Sequence, residues 1–203
     1  MKIGIPIIIA APSGAGKTSL VRALVTEMDD IGVSVSHTTR PKRASETNHV
    51  NYHFVSTQKF EDLIKQDAFL EYARVFDNYY GTSKEWVDKQ FVKGQDLIFE
   101  IDWQGARQLR EKLPGAASIF ILPPSLEALN ERLHSRGQDD KAIIAKRMQE
   151  AKSEISHHDE FEYIIVNDDF DTAKAELMTI IQAERLKAQR HHDLASALLS
   201  RFS

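Results

Sequence analysis

An α/β fold, with a parallel five-stranded sheet covered by helices on both faces, is predicted by three features of the 203-residue chain. Short runs that are apolar on both faces recur along it, as in Ile7-Ile8-Ile9-Ala10, Leu97-Ile98-Phe99 and Ser118-Ile119-Phe120-Ile121-Leu122. Strands buried on both sides belong to parallel sheets. Segments with helical spacing separate these runs, which is the rhythm of strand-helix-strand units. The first run ends in a small, glycine-punctuated turn, A-P-S-G-A-G-K-T from Ala11 to Thr18, that opens directly into a helix. Ligands on such sheets bind beyond the carboxyl ends of the strands, where that turn lies.

The elements follow in order. After the first strand, Leu20, Val21, Leu24 and Val25 give a helix from about 17 to 28, and Val33 to Ser36 reads as a short strand. Leu97 to Asp102, Ser118 to Leu122 and Tyr163 to Val166 are the remaining strands of the sheet. Helices are predicted over 103–112 and 126–136, and a last one from near Asp171 carries Ala173, Leu177, Ile180, Ile181 and Leu186 at helical spacing. The basic run Lys187 to His192 reads as a solvated face. Two stretches break the rhythm. From Ser36 to about Thr82 a polar segment leads into Tyr52 to Val55, a short helix with Phe60, Leu63 and Ile64, strand-like Phe69 to Tyr72, and a turn at Asn78 to Thr82. From Leu126 to His157 two charged helices flank the break Ser135-Arg136-Gly137-Gln138-Asp139, as suits a mobile lid.

Composition sets bounds. The length suffices for one domain with a sizeable core. With 42% hydrophobic and 28% charged residues and no long apolar run, a membrane span is not expected. Met1-Lys2 leads almost directly into the first strand, which predicts no signal peptide. There is no cysteine, so disulfides and thiolate metal sites are excluded. An intracellular, cytoplasmic protein is the expectation. A net charge of −4 argues against a general nucleic-acid binder but leaves room for a local phosphate site.

The glycine-punctuated turn has the chemistry of a phosphate cradle. Gly14 and Gly16 can adopt backbone conformations closed to other residues, so the N–H groups of Ser13, Gly14, Ala15, Gly16, Lys17, Thr18 and Ser19 can converge on an anion at a helix start. Lys17 adds a point charge for the β- and γ-phosphates, and the Thr18 hydroxyl is placed to ligate magnesium. Ala11 stands where the usual pattern opens with glycine. The N-K-x-D guanine signature of many GTPases is absent, and the chain is short for a motor or helicase. A transferase moving the γ-phosphoryl to a second substrate remains.

The first irregular stretch offers the acceptor site. Arg40 and Arg43 can grip a phosphate bidentately, with Pro41 stiffening the turn. Tyr52 and Tyr80 offer hydroxyls on stackable rings, Glu71 accepts two hydrogen bonds, and Ser36 and Thr82 donate or accept one each. This set matches a purine nucleoside monophosphate, guanine in particular, because guanine presents adjacent N1–H and N2–H donors to one carboxylate. AMP, thymidylate and phosphorylated sugars are the alternatives among acceptors. The pairs His157-His158 and His191-His192 point about 100° apart on a helix and make poor metal sites. Trp86 and Trp103 read as core or helix anchors.

In A-P-S-G-A-G-K-T, S-V-S-H-T-T-R, N-Y-Y-G-T, I-D-W-Q-G, I-F-I-L-P-P-S, S-R-G-Q-D and I-V-N-D-D-F-D, in that order, the chain resembles guanylate kinase, most of all its bacterial form, over essentially its whole length. The resemblance implies a P-loop nucleoside monophosphate kinase fold in three parts. These are a core (1–35, 84–124 and 158–203), a small mixed GMP-binding domain (36–83) and a helical lid (125–157). It implies transfer of the γ-phosphoryl of Mg-ATP to GMP, with dGMP as a further acceptor, in purine nucleotide metabolism and GMP recycling. By position it gives Ser36, Glu71 and Thr82 to the base, and Arg40, Arg43, Tyr52 and Tyr80 to the GMP phosphate. Lys17, Arg132, Arg136 and Arg147 go to the transferring phosphates, and Asn167 to the adenine end of ATP. Where the family usually has Asp-Ile-Asp this chain has Glu100-Ile101-Asp102, so Glu100 is one methylene longer at a place near the acceptor or the water shell of magnesium. In related domains of membrane-associated scaffolds a degenerate phosphate loop leaves a protein-interaction surface, whereas Gly14, Gly16, Lys17 and Thr18 are intact here. Self-association is left open.

Overall fold

The computed structural model describes residues 3–44, 46–75, 77–135, 141–191 and 200. Strand β1 (Pro6–Ala10) is the middle of a parallel sheet, and its pleat divides the core in two. Ile7 and Ile9 face one side, where they meet Leu20, Val21 and Leu24 of helix α1 (Lys17–Glu27). Ile8 and Ala10 face the other, among Phe99, Ala106, Leu109 and Phe120. Period-two alternation between two buried faces is why the run is apolar throughout.

The elements that follow are β2 (Ile31–Val33), β3 (His37–Thr38), β4 (His53–Phe54), α2 (Thr57–Lys65), β5 (Phe69–Val75), β6 (Asn78–Ser83) and α3 (Lys84–Val92). Then come β7 (Asp96–Glu100), α4 (Trp103–Lys112), β8 (Ala117–Leu122), α5 (Leu126–Ser135), α6 (Lys141–Ile155), β9 (Tyr163–Val166) and α7 (Phe170–Arg185). The core sheet has the order β2-β7-β1-β8-β9, every pair parallel. Helices α1 and α7 cover one face; Val87 of α3 and Ala106 and Leu109 of α4 pack on the other. The predicted five-stranded sheet is therefore present.

Residues between β2 and α3 form a second sheet, β4-β3-β6-β5, in which β3 and β4 are parallel and the other pairs antiparallel. Two expectations are corrected here. The strand predicted at Val33 to Ser36 lies earlier, at Ile31–Val33, because it pairs with Asp96 to Ile98 of β7 before the chain leaves the core after Ser34. Asn78 to Thr82 is a strand and not a turn: the reversal sits at Asp77, with φ 63°, and the tyrosine-rich segment pairs along β5. The helix predicted to end at 136 is described to Ser135, and its partner begins at Lys141, so Arg136 lies outside the described residues.

A buried carboxylate ties the sheet together beneath the site. Asp96 is 0% exposed; its Oδ1 accepts from the Ile5 amide (2.8 Å) and its Oδ2 from Arg185 Nε of α7 (2.7 Å). Replacing Asp96 with alanine leaves that amide and the half-buried guanidinium without their acceptor. A loss of about 3 kcal/mol in unfolding free energy is expected, read by denaturant titration. Among the described residues no helix is long and apolar enough to cross a membrane.

Candidate active site

The turn after β1 is built around two glycines in the left-handed region, Gly14 and Gly16, both with φ 96°. A Cβ on Gly16 would stand 2.3 Å from Asn167 Nδ2, and one on Gly14 would press on Leu129 and Leu133 of α5 at 3.0 Å. Helix α1 begins without a side-chain cap and without an acid in its first turn. By contrast α2, α3, α4 and α7 are capped by Ser56, Ser83, Asp102 and Asp169. The unpaired N–H groups of α1 and the positive end of its dipole are thus left for an anion from outside.

The side chains around this opening converge from distant elements. Lys17 Nζ donates to the Ile101 carbonyl (3.2 Å) beyond β7. Burial pushes its amine below the usual lysine range, while Glu100, Glu154 and Asp102 act to keep the charge on. The Thr18 hydroxyl donates to Glu100 Oε2 (2.8 Å), a reach that the longer side chain spans. Asn167 is buried and its Nδ2 donates to the Ala15 carbonyl (2.7 Å), while Arg132 Nη2 of α5 donates to the Asn167 carbonyl (2.9 Å). Asn167 therefore fastens the glycine turn to the end of β9, with Arg132 stacked behind it in the chain of bonds. Ser13 and Ser19 are exposed at the rim, and Arg147 lies half-buried on α6.

A cavity opens between the second sheet and the carboxyl end of β7, lined by Ser36, Tyr52, Glu71, Tyr80, Thr82, Glu100 and Asp102 among others. Glu71 is 4% exposed; its Oε1 accepts from the Thr82 hydroxyl (2.6 Å), which lies 3.4 Å from Ser36 Oγ. Glu71 and Thr82 are register partners across β5 and β6, which is why residues eleven apart meet. Gly105 makes room on the far side: a Cβ there would strike Ile101 at 2.3 Å and touch Glu71 Oε2 at 3.4 Å. Burial pushes the Glu71 carboxyl up to about 7, against the pull of the Thr82 hydroxyl and with Asp102 adding to the rise.

The rings of Tyr52 and Tyr80 meet edge to face, 6.0 Å apart, and burial raises the Tyr52 phenol. Arg40 lies over the Tyr52 ring at 5.5 Å and donates both Nη1 (3.1 Å) and Nη2 (2.6 Å) to the carboxylate of Glu46. The Arg43 amide donates to the same carboxylate (2.8 Å), while its side chain is exposed. Arg40 alone of the two arginines turns its guanidinium to this internal anion, and Arg43 reaches it through the backbone.

Sequence reasoning missed Glu46 and Glu154. Glu154 Oε2 accepts from the Ser13 amide (3.2 Å), so the glycine turn, like Arg40, has a carboxylate of this chain against it. Glu154 lies seven residues from Arg147, on the same face of α6, which was a readable signal. Glu46 carried none, because its position depends on the loop that brings it back to Arg40. The histidines do other work: His157 stacks on Trp103 with ring centroids 3.6 Å apart and bonds Glu160, which also holds Arg107 and Arg110.

The structure thus has a glycine turn with a lysine beside it, an arginine held by Glu46, and a buried carboxyl lining a cavity. Comparison with known proteins agrees with it. The family model described as Guanylate kinase matches residues 4–184. A guanylate kinase of Saccharophagus degradans is 58% identical over 191 residues, covering 94% of this chain and 93% of that protein. One from Aliivibrio fischeri is 56% identical over 192 residues, with 94% and 93% covered. The crystal structure of guanylate kinase from Anaplasma phagocytophilum superimposes with a TM-score of 0.77 at 32% identity, covering 100% of this chain and 97% of that one.

Proposed function

Since the chain belongs to the guanylate kinase family and is a nucleoside monophosphate kinase (ATP + GMP = ADP + GDP), we propose that its two anion sites divide the substrates between them. The glycine turn, Ser13 to Ser19 with Lys17, takes the phosphates of ATP. The cavity takes GMP, its base on Glu71, Ser36 and Thr82 and its phosphate on Arg40, Arg43, Tyr52 and Tyr80. The observation that carries the reading is Glu71, a dry carboxyl beside two hydroxyls, since only a partner with paired donors repays its burial. Asp102, which caps α4 through the Gly105 amide (2.8 Å), borders the base site. The division into core (1–35, 84–124 and 158–203), acceptor domain (36–83) and lid (125–157) is part of the proposal. It is supported by the separate second sheet and the paired helices α5 and α6.

Magnesium fits the residues present. Thr18 Oγ1 and Glu100 Oε2 lie 2.8 Å apart beside Lys17, two hard oxygen donors of the kind that hold this ion together with substrate phosphates and water. When bound with ATP it would neutralise phosphate charge. The rest falls to the protein. The attacking oxygen of GMP is already ionised at neutral pH, so no general base is needed, and catalysis reduces to alignment and charge compensation. Arg40 exchanges Glu46 for the GMP phosphate, Lys17 meets the transferring group, and Arg132 of α5, Arg147 of α6 and Arg136 are assigned to it. Closure of α5 and α6 excludes water, which would otherwise accept the phosphoryl.

The proposal includes dGMP as a second acceptor. The proposed role is in purine nucleotide metabolism and GMP recycling, in the cytoplasm. The net charge of −4 supports a protein with no general nucleic-acid role.

GMP affinity should depend on pH with a definite sign. In the free enzyme the Glu71 carboxyl titrates near 7, raised from its ordinary value, whereas the complex needs the ionised form to accept N1–H and N2–H. Affinity is full above that value and falls as pH drops through it, at the limit by roughly tenfold per pH unit. Calorimetric titration of GMP between pH 8 and 6 reads the effect; a flat affinity would contradict it.

A further inference from the structure

We propose that Glu154 is a positioning residue of the donor site: its carboxylate occupies the Ser13 amide beside Lys17 in the nucleotide-free enzyme, and a donor phosphate must displace it. The inference rests on the assignment of the glycine turn to ATP. Three observations carry it. The Ser13 amide donates to Glu154 Oε2 at 3.2 Å, across 141 residues of sequence, so the contact is made by the fold and not by local chain geometry. The charges facing Glu154 are Lys17 from α1, Asp102 from the segment after β7 and Glu150 from its own helix, and Lys17 alone among them attracts it. Half-burial raises its pKa, so its carboxylate is held there against desolvation by the amide and the lysine.

The consequence is mechanical as well as electrostatic. Glu154 stands one residue before the end of α6, on the face that carries Arg147 two turns earlier. While its carboxylate holds the turn, the end of α6 is docked on the phosphate cradle and the positive charge there is balanced. A donor with a polyphosphate chain brings more negative charge to the same amide and lysine, takes the place of Glu154, and frees α6 to bring Arg147 toward the transferring group. Glu154 thereby weakens donor binding in the open enzyme and couples it to the movement of the helix.

The test uses full-length Glu154→Gln and Glu154→Ala with ADP and inorganic pyrophosphate, in the absence of GMP. Glutamine keeps an acceptor for the Ser13 amide without the charge; alanine removes both. Both ligands should bind about tenfold tighter to each variant, the scale of losing one charged competitor for a hydrogen bond. The KM for ATP should fall while the KM for GMP is unchanged. Exchange of the Ser13 amide should be slow in the wild type and in Glu154→Gln and fast in Glu154→Ala, a readout that a purely structural role would not move in this pattern. Unchanged or weaker binding to a folded Glu154→Gln overturns the inference, as does a gain with ADP that is missing with pyrophosphate. Failure of the wild type to bind either ligand would instead overturn the assignment of the glycine turn itself.

Discussion

Replacing Lys17 with methionine should lower turnover of ATP and GMP about 10³-fold while the protein stays folded. Methionine has nearly the length and volume of lysine, so packing around α1 is retained and the loss is that of the charge. That charge belongs to the proposed donor site: the amine bonds the Ile101 carbonyl at the end of β7, with Glu100, Asp102 and Glu154 around it. Burial lowers the pKa of the amine, and the three carboxylates act against that by favouring its charged form. Since the charge is needed most as negative charge shifts between the phosphates, kcat should fall more than ATP affinity. Steady-state kinetics with thermal denaturation as the control reads both; turnover near that of the wild type would sink the assignment.

Glu71→Gln should cost about 10³-fold in kcat/KM for GMP with little change in the KM for ATP. The amide has the same shape but only one acceptor, and its NH2 group meets a donor of guanine head-on in a site closed to water. Thr82, which now donates to Oε1, can still donate to the amide oxygen, so the fold of β5 and β6 is kept. Acceptor assays with GMP and AMP measure it. Equal acceptor preference before and after the change would contradict the placing of guanine.

Much of this was legible in the chain because it was local. Ile7 to Ala10 and Tyr163 to Val166 announce strands by unbroken apolarity, and the glycines and lysine that follow β1 are contiguous. What was not legible depends on distant pairing. Asn78 to Thr82 carries asparagine and glycine, the residues of turns, yet five residues of β5 lie alongside and make it a strand. The side chain of Asn167, which was expected near the adenine end of ATP, holds the Ala15 carbonyl, a bond across 152 residues that no spacing rule reveals. Glu46 and Glu154 are ordinary surface acids by composition. They matter because loop and helix return them to the Arg40 guanidinium and the Ser13 amide, groups proposed to bind phosphate.

The most direct test of the central claim, a buried carboxyl that reads guanine opposite a phosphate cradle, is ADP release from Mg-ATP with GMP and AMP as competing acceptors. The account predicts turnover with GMP exceeding that with AMP by about 10⁴ in kcat/KM, because AMP has no N1–H and leaves Glu71 partly unpaired. Comparable rates with the two acceptors would contradict it.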